Sequence, residues 1–265
     1  MSIMRYPKVT IVTPVYNGGN YIAKTIESVR DQTYQNIEYI IVDGGSTDNT
    51  LSIIESYRDC VSSVISELDE GMYDAVNKGL QKGSGEVFAY LNSDDVYFED
   101  AVRVSVEKIL QMGVDMSIGN CEYVDESGEV LYKYVAMPYS FDEVKRLGRI
   151  PFAQPSAFWT KKLYDQIGGF DSSLKYVADA KFFYEALKLM GCPPAYVDKY
   201  IVQFRLHDDG YTSKAEGEMR QEAMNALGKY KLDEVSLFNF EDLKVKWANR
   251  YNFSQKLIKR LLRYS

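Results

Sequence analysis

Cysteine and long apolar runs are both scarce in this sequence, and each shortage excludes a class of protein. Three cysteines occur in 265 residues, at Cys60, Cys121 and Cys192. Cysteines that are odd in number and widely separated do not make a disulfide framework, so we expect free thiols and a reducing, cytoplasmic location. No stretch reaches the roughly 18 uninterrupted apolar residues that a membrane-spanning helix needs, and the N-terminal MSIMRYPKV lacks an apolar signal core. We therefore expect neither a signal peptide nor a membrane span.

Positive charge is also in short supply. Lysine and arginine together number 31 against 38 aspartates and glutamates, which gives a formal net charge of -7 at pH 7. A general nucleic-acid-binding protein needs a broad basic surface for phosphate contacts, so we expect no nucleic-acid partner. Hydrophobic residues make up 46% of the chain, which is enough for one large α/β domain or for one domain with a helical appendage.

Strand-like and helix-like segments alternate in the first part of the chain. Short apolar or β-branched runs at 8–13, 37–42, 61–66 and 86–91 predict four strands. The segments between them carry apolar residues at helical spacing. Strands separated by helices are expected to pair in parallel, with right-handed crossovers.

Polar loops follow three of these strands, at the edge where ligands bind in open parallel sheets. The loops read TPVYNGG, DGGSTD and NSDD, and the last contains the adjacent carboxylates of Asp94 and Asp95. Two carboxylates about 4 Å apart repel by roughly 4 kcal/mol at an effective dielectric of about 20, so we expect a cation nearby. A divalent ion completed by ligand phosphates would meet that need. The alternative is that the pair only caps the next helix.

The second half of the chain reads less regularly. A helical pattern covers residues 99–112, and a strand is predicted at 114–119. Residues 121–134 predict a hairpin that turns at Ser127 and Gly128. We expect this irregular half to bind the ligand that differs from one related protein to another.

Several segments, taken in order, resemble the family 2 glycosyltransferases with the GT-A fold. They are VTIVTPVYNGGNYIAKTIESVRDQTYQNIEYIIVDGGSTDNT, SELDEGMYDAVNKGLQKGSGEVFAYLNSDDVY, and IGGFD followed by ADAKFF. The resemblance implies an α/β protein with the GT-A fold, a Rossmann-like mixed sheet flanked by helices. The implied domains are a glycosyltransferase domain over 1–215, with a nucleotide-sugar half at 1–100 and an acceptor half at 101–215, and a C-terminal helical extension over 216–265.

For function, the resemblance implies inverting transfer of a sugar from a nucleoside-diphosphate sugar, assisted by Mn²⁺ or Mg²⁺. UDP-hexose is the favoured donor. The implied acceptor is a hydroxyl of a saccharide or lipid-linked saccharide in cell-surface polysaccharide synthesis. One alternative is a catalytically silent relative that binds a sugar nucleotide or serves as a scaffold. A nucleotide-linked oxidoreductase is disfavoured, because GGSTD after the second strand is not the G-x-G-x-x-G expected after the first.

The resemblance assigns the nucleotide sugar to Pro14, Tyr16, Asp43, Asp69 and Asp94. Pro14, Tyr16 and Asp43 would hold the base and ribose, and Asp94 would face the ribose or sugar. The alternative for Tyr16 is that it only packs over the sheet edge, and for Asp43 that it only stabilises the glycine turn after it. Asp69 would line the donor pocket, or would belong to the acidic first turn that favours a helix N-terminus.

Two positions depart from the family pattern. Many relatives have a second acid where this chain has Gly44, and often a histidine where Ala153 precedes Gln154. With Gly44 in place of an acid, the contact to the nucleobase is left undecided. With Ala153 in place of a histidine, a polar contact to acceptor or donor is missing or is supplied differently. Gln154 would still line the nucleotide-sugar site, against the alternative of a plain strand-edge role.

Asp95 and His207 are the implied metal ligands, and Asp179 in ADAKFF is the implied catalytic base. His207 is the one histidine of the chain, and imidazole with carboxylate and phosphate oxygens suits Mn²⁺ as well as Mg²⁺. Its alternative is an ordinary surface or packing role. Inverting transfer needs a base within reach of the acceptor hydroxyl. The alternative for Asp179 is an acid in the first turn of a helix, stabilised by the helix dipole.

The C-terminal sequence predicts an amphipathic helix. Its apolar stripe is Leu257, Ile258, Leu261 and Leu262, flanked by Lys256, Lys259, Arg260 and Arg263. Such a helix can bind anionic lipid, which would bring the protein to the inner face of the cell membrane. The alternative is a helix docked on its own domain or on a second subunit of a homodimer.

Overall fold

The computed structural model describes residues 6–207 and 216–228. Within this part of the chain the strands are β1 (Val9–Val15), β2 (Ile37–Asp43), β3 (Ser63–Ser66), β4 (Val87–Tyr90), β5 (Val96–Tyr97), β6 (Met116–Val124), β7 (Val130–Tyr134), β8 (Ala157–Thr160) and β9 (Ala195–Arg205). The helices are α1 (Ile22–Arg30), α2 (Thr50–Ser56), α3 (Met72–Lys82), α4 (Ala101–Met112), α5 (Phe141–Leu147), α6 (Lys161–Ile167), α7 (Ala178–Met190) and α8 (Glu216–Leu227). The amphipathic helix predicted near the C-terminus lies outside the described residues.

Parallel strands form the first half of the sheet, in the order β3-β2-β1-β4. Helices α1, α2 and α3 lie between them in sequence, as the alternating apolar patterns predicted. All four predicted strands are confirmed, with small shifts at their ends. The register places Val15 of β1 opposite Asp43 of β2, so the loops that follow these two strands leave the sheet at the same edge.

The sheet continues beyond β4 with strands of both directions. The order is β4-β8-β6-β9-β5, and β7 pairs with β6. β8 is antiparallel to β4 and β6, whereas β6 and β9 are parallel. The predicted hairpin is confirmed as β6 and β7, with Gly128 at a φ of 95° in the turn. The mixed sheet implied by the resemblance is therefore confirmed.

Helices cover both faces of the sheet and bury two apolar clusters. Along β1, Val9 and Ile11 belong to one cluster and Val12 to the other, because successive side chains of a strand point to opposite faces. Helices α1 and α4 contribute to the first cluster, and α3 and α7 to the second. Burying one such side chain contributes about 1.5–3 kcal/mol, so these clusters are the main source of stability. With both faces covered, a ligand site is left to the edge of the sheet.

The described part of the predicted C-terminal extension is α8, which docks on the second cluster. Leu227 is fully buried there, in the same cluster as Phe182 and Phe183 of α7. Ala223, one turn earlier, is also buried. No helix among the described residues is long and apolar enough to cross a membrane.

We expect Gly79→Ala to destabilise the fold. A Cβ at Gly79 on α3 would stand 2.5 Å from Val12 Cγ1 and 3.1 Å from Val42 Cγ2. These buried β-branched side chains have little room to rotate, so overpacking outweighs the better helix propensity of alanine. We expect the free energy of unfolding, measured by urea denaturation, to fall by about 1–2 kcal/mol.

The matched control is Gly217→Ala on α8, where an added Cβ meets nothing within 4 Å. Alanine is the better helix former, so stability should be unchanged or higher in this variant. A Gly79→Ala protein as stable as Gly217→Ala would contradict the close packing of α3 on the sheet.

Candidate active site

The loops after β1, β2 and β4 meet at one edge of the sheet, as the topology predicted. Asn17 N donates to Ser46 Oγ at 2.8 Å, and Thr47 N donates to Asn17 Oδ1 at 2.8 Å, so the first two loops are joined. Asn17 has a positive φ of 50°, a conformation that asparagine adopts more readily than most residues. A Cβ at Gly18 would lie 3.1 Å from Ser93 Oγ, so the first loop also contacts the third.

Pro14 and Tyr16 lie where β1 enters this edge. Pro14 is buried within the strand, opposite Val42 of β2. The Tyr16 ring is 65% exposed, so it is not packed over the sheet edge. An exposed aromatic ring beside a polar rim can stack on a planar ligand. Its stacking on a nucleobase stays a prediction.

Asp43 is fully buried at the end of β2, and its carboxylate organises the turn that follows. Gly45 N and Ser46 N donate to it at 3.2 Å, and Ser66 Oγ donates at 2.7 Å. The structure therefore shows the turn-stabilising role that the sequence left as an alternative. A contact from Asp43 to a base or ribose stays a prediction.

Asp69 approaches the same turn from the segment between β3 and α3. A Cβ at Gly44 would stand 2.4 Å from Asp69 Oδ2, and Gly71 N donates to Asp69 Oδ1 at 3.0 Å. Partial burial is the main reason that the pKa of Asp69 is raised. A side chain at position 44 would collide with Asp69, so Asp69 occupies the space beside the Gly44 backbone.

Asp95 points into the protein. It is 1% exposed, and its Oδ1 accepts a hydrogen bond from Arg205 N at 3.0 Å. Asn92 Nδ2 lies 3.4 Å from its Oδ2, and Thr25 Oγ1 donates to its main-chain oxygen at 2.9 Å. Burial, and then the charge of Asp94, hold the pKa of Asp95 well above its usual range. In this position Asp95 ties the acidic loop to β9 and α1.

Asp94 contacts the lone histidine. His207 Nε2 lies 2.9 Å from Asp94 Oδ2, and the two side chains are 10% and 25% exposed. The Tyr21 ring packs against the imidazole, with 5.0 Å between the ring centroids. In the structure His207 contacts Asp94, whereas the family resemblance implied that His207 and Asp95 share a metal ion.

Arg205, at the end of β9, was missed from the sequence. It is 4% exposed, and its Nε donates to the main-chain oxygen of Asp94 at 3.1 Å. Its Nη1 donates to the main-chain oxygens of Asp125 and Glu126 at 2.9 and 3.0 Å, and the guanidinium lies 5.2 Å from the Tyr21 ring centroid. Arg205 supplies a cation beside the acidic pair. The sequence signal was a charged residue inside an otherwise apolar strand pattern, because a charge is rarely buried without partners.

Asp94 of the acidic loop and His207 after β9 carry donor atoms of the kind that bind a divalent ion. Within residues 6–207 and 216–228 no group of three His, Cys, Asp or Glu side chains could hold a metal. Asp94 and His207 offer one carboxylate oxygen and one imidazole nitrogen in contact. Mg²⁺ and Mn²⁺ are often held by one or two protein ligands, with substrate phosphates completing the shell. This pair matches that donor set.

Asp179 lies in the first turn of α7, half-buried against α3. Ala180 N donates to its Oδ1 at 2.7 Å, and the Tyr73 hydroxyl of α3, which donates to Tyr176 O at 3.3 Å, lies beside it. A plain acid at a helix N-terminus has a lowered pKa, but burial here raises the pKa of Asp179. The carboxyl group is therefore more basic than an ordinary aspartate. Tyr73 was not singled out from the sequence.

Tyr90, at the end of β4, is fully buried. Burial raises its pKa well above the usual range, and the charges of Asp179 and Asp95 raise it further. One buried phenol thus lies within electrostatic reach of both carboxylates. Gln154 Nε2 donates to the Tyr90 main-chain oxygen at 3.0 Å, which is the strand-edge role left open by the sequence. A contact from Gln154 to the donor stays a prediction.

Comparison with known proteins gives a family and several relatives. The model described as glycosyl transferase family 2 matches residues 10–172, which include the acidic loop but neither Asp179 nor His207. An uncharacterized glycosyltransferase of Rickettsia typhi is 30% identical over 224 residues, covering 81% of this chain and 69% of that protein. The glycosyltransferase GlyG of Streptococcus pneumoniae is 35% identical over 130 residues, covering 48% of this chain and 43% of that protein.

Two solved structures of similar fold contain nucleotide sugars. TarS 1-349 of S. aureus in complex with UDP-GlcNAc has a TM-score of 0.67 at 20% identity, covering 83% of this chain and 67% of that chain. Mannosyltransferase PcManGT from Pyrobaculum calidifontis, in complex with GDP-Man and Mn²⁺, has a TM-score of 0.62 at 19% identity, covering 86% and 64%. At such identity the likeness concerns the fold alone, and it confirms the predicted GT-A fold.

We expect Arg205→Met to be strongly destabilising. The substitution removes the buried cation and leaves the oxygens of Asp94, Asp125 and Glu126 without their donor. Breaking one partner of a buried charged network lowers the free energy of unfolding by about 3–5 kcal/mol, which urea denaturation would measure. Arg103→Met is the control, because Arg103 is 38% exposed and its ion pairs should contribute about 1 kcal/mol or less. Equal losses in the two variants would show that Arg205 has no special structural role.

Proposed function

The chain belongs to glycosyl transferase family 2, and we propose that it transfers a sugar, with inversion, from a nucleoside-diphosphate sugar to an acceptor hydroxyl. One observation carries the proposal. The charges of Asp179 and of Asp95 in the acidic loop both raise the pKa of the buried Tyr90 phenol at the end of β4, and Asp94 of that loop contacts His207. A site for the diphosphate and a site for proton removal would thus lie side by side. In this proposal residues 1–100 bind the donor and 101–215 the acceptor.

We propose UDP-hexose as the donor. Tyr16 would stack on the base, Asp43 and Asp69 would receive hydrogen bonds from base or ribose, and Pro14 would hold the first loop in place. The TarS structures in complex with UDP and with UDP-GlcNAc support UDP, whereas PcManGT contains GDP-Man, which makes GDP the alternative. The exposed ring of Tyr16 fits either base.

For the metal, we propose that Asp94 and His207 hold Mn²⁺ or Mg²⁺ together with the diphosphate. A divalent ion bound there supplies positive charge to the leaving diphosphate. Asp95, the ligand expected from the sequence, would have to give up its hydrogen bond from Arg205 N to reach an ion. We therefore assign Asp95 to holding the acidic loop, with Asp94 as the carboxylate ligand.

Asp179 is the proposed base. The acceptor hydroxyl must lose its proton as its oxygen attacks the anomeric carbon, and the diphosphate leaves from the opposite side. The raised pKa of Asp179 makes it a better proton acceptor than an ordinary aspartate. Ala180 N would hold the carboxylate in its orientation.

The acceptor we propose is a saccharide or lipid-linked saccharide in cell-surface polysaccharide synthesis. The support is the resemblance of the whole segment pattern to bacterial enzymes of that kind. The competing proposal is a catalytically silent relative that binds sugar nucleotides. Asp94 contacts His207, and burial raises the pKa of Asp179, as metal binding and proton removal would require. These features favour the enzyme over the silent relative.

The metal assignment predicts different outcomes for the two adjacent acids. Calorimetry of UDP binding with Mn²⁺ and with EDTA should show that Asp94→Asn removes most of the Mn²⁺-dependent gain in affinity. Asp95→Asn, the matched control one residue away, should keep that gain, because its carboxylate faces the protein interior. The reverse pattern would return the metal to Asp95.

The base assignment predicts that binding and chemistry separate in Asp179→Asn. The substitution keeps the shape of the side chain but removes its basicity, so turnover should fall by about 10²- to 10⁴-fold. UDP affinity should be unchanged, and thermal stability at pH 7 unchanged or higher, since a buried charge is removed. Mass spectrometry of the glycosylated acceptor measures transfer.

The pH profile gives the same assignment a second test. A base must be ionised to work, so kcat/KM should fall as the pH drops through the raised pKa of Asp179, above the usual range for aspartate. Near wild-type transfer by Asp179→Asn, under conditions where chemistry limits turnover, would place the base elsewhere.

A further inference from the structure

The segment that leads into α7 is held by a carboxylate from a distant part of the chain. Glu222 of α8 accepts hydrogen bonds from Lys175 N and Tyr176 N at 2.6 Å and from Val177 N at 3.0 Å. Three consecutive backbone N–H groups thus converge on one side chain. The next turn of the chain carries Asp179.

Glu222 supplies hydrogen-bond acceptors at the start of α7. Val177 is the residue that caps α7, and its side chain cannot accept a hydrogen bond. Amides at and before a helix start need an acceptor, and an ionised carboxylate is the strongest that a protein can offer. Glu222 therefore fixes where α7 begins.

Helix α8 is anchored independently of this contact. Leu227 is fully buried in the second apolar cluster, and Ala223 is buried beside it. Glu218, one turn before Glu222, accepts a hydrogen bond from the Tyr176 hydroxyl at 2.8 Å. Changing the Glu222 side chain should therefore leave α8 docked.

Glu222 also acts on Asp179 through its charge. The groups that face Asp179 are Tyr73 from α3, Tyr90 from β4 and Glu222 from α8. Burial has the largest effect and raises the pKa of Asp179, the neighbouring Tyr73 hydroxyl lowers it, and the charge of Glu222 raises it. Of these three neighbours only Glu222 carries a charge at neutral pH.

We propose that Glu222 is a positioning residue that holds the first turn of α7, and with it the Asp179 carboxylate, in place for proton removal. The inference rests on the proposed role of Asp179. It extends the active site to α8, beyond the segment 10–172 that matches the family model.

The test is a carboxyl NMR titration of Asp179, with its signal assigned from Asp179→Asn, together with amide hydrogen exchange in the full chain. Glu222→Gln keeps the side-chain shape and removes the charge. We expect the pKa of Asp179 to fall, because a like charge that raises it is removed. Exchange of the amides at 175–177 should rise about tenfold as a charge-assisted acceptor is lost.

Glu218→Gln is the matched control on the same helix and the same segment, and it should change neither quantity at Asp179. Glu222→Asp keeps the charge and should restore most of the pKa of Asp179. The proposal requires both the pKa shift and the faster exchange in Glu222→Gln, and it is overturned if either is missing or if Glu218→Gln produces the same changes. An Asp179→Asn enzyme that still transfers sugar would refute the base assignment instead, and these measurements need no acceptor, so the two failures are distinguishable.

Discussion

The buried guanidinium of Arg205 is the interaction on which the rest of the site depends. The guanidinium donates to main-chain oxygens of the acidic loop and of the β6–β7 turn, while the backbone N–H of Arg205 donates to Asp95 Oδ1. The adjacent carboxylates repel each other in a partly dry environment, and the charge of Arg205 lowers the pKa of Asp95 against the larger raising effects of burial and of Asp94. With Arg205 in place, Asp95 is fixed inside and Asp94 is turned towards His207. The orientation of the acidic pair therefore follows from a residue about 110 positions later in the chain.

Helix α3 connects the two halves of the candidate site. Asp69 lies just before its start, beside the turn of Asp43, and Tyr73 in its first turn contacts Asp179. Further along, the Asn77 amide donates to Phe170 O at 2.7 Å and accepts from Phe170 N at 3.0 Å. Helix α3 and the residue Asp69 before it thus reach the turn of Asp43, helix α7 and the loop between α6 and α7. A shift of α3 would move all three together.

The parallel half of the sheet could be predicted from the sequence because its signals are local: each strand, turn and helix lies within about thirty residues. The mixed half could not be derived in this way. The two-residue strand β5 pairs with β9, and Val96 faces Gln203, a partner that no short window contains. The same limit applies to the site. Sequence identified Asp94, Asp95 and His207 as a group, but the choice of which acid faces the histidine depends on Arg205 and Asn92, which are tertiary contacts.

Asp69 and Asp179 also lower the stability of the folded state when they are ionised. The pKa of each carboxyl group is raised mainly by burial, so the folded state binds their protons more tightly than the unfolded chain does. Their contribution to stability is therefore greatest at low pH, and it is lost as the pH rises through the raised pKa values. At neutral pH both acids destabilise the fold, and neutral side chains of the same shape would remove that cost. Acids kept in such places, next to a sheet edge where ligands bind, are explained by chemistry more readily than by stability.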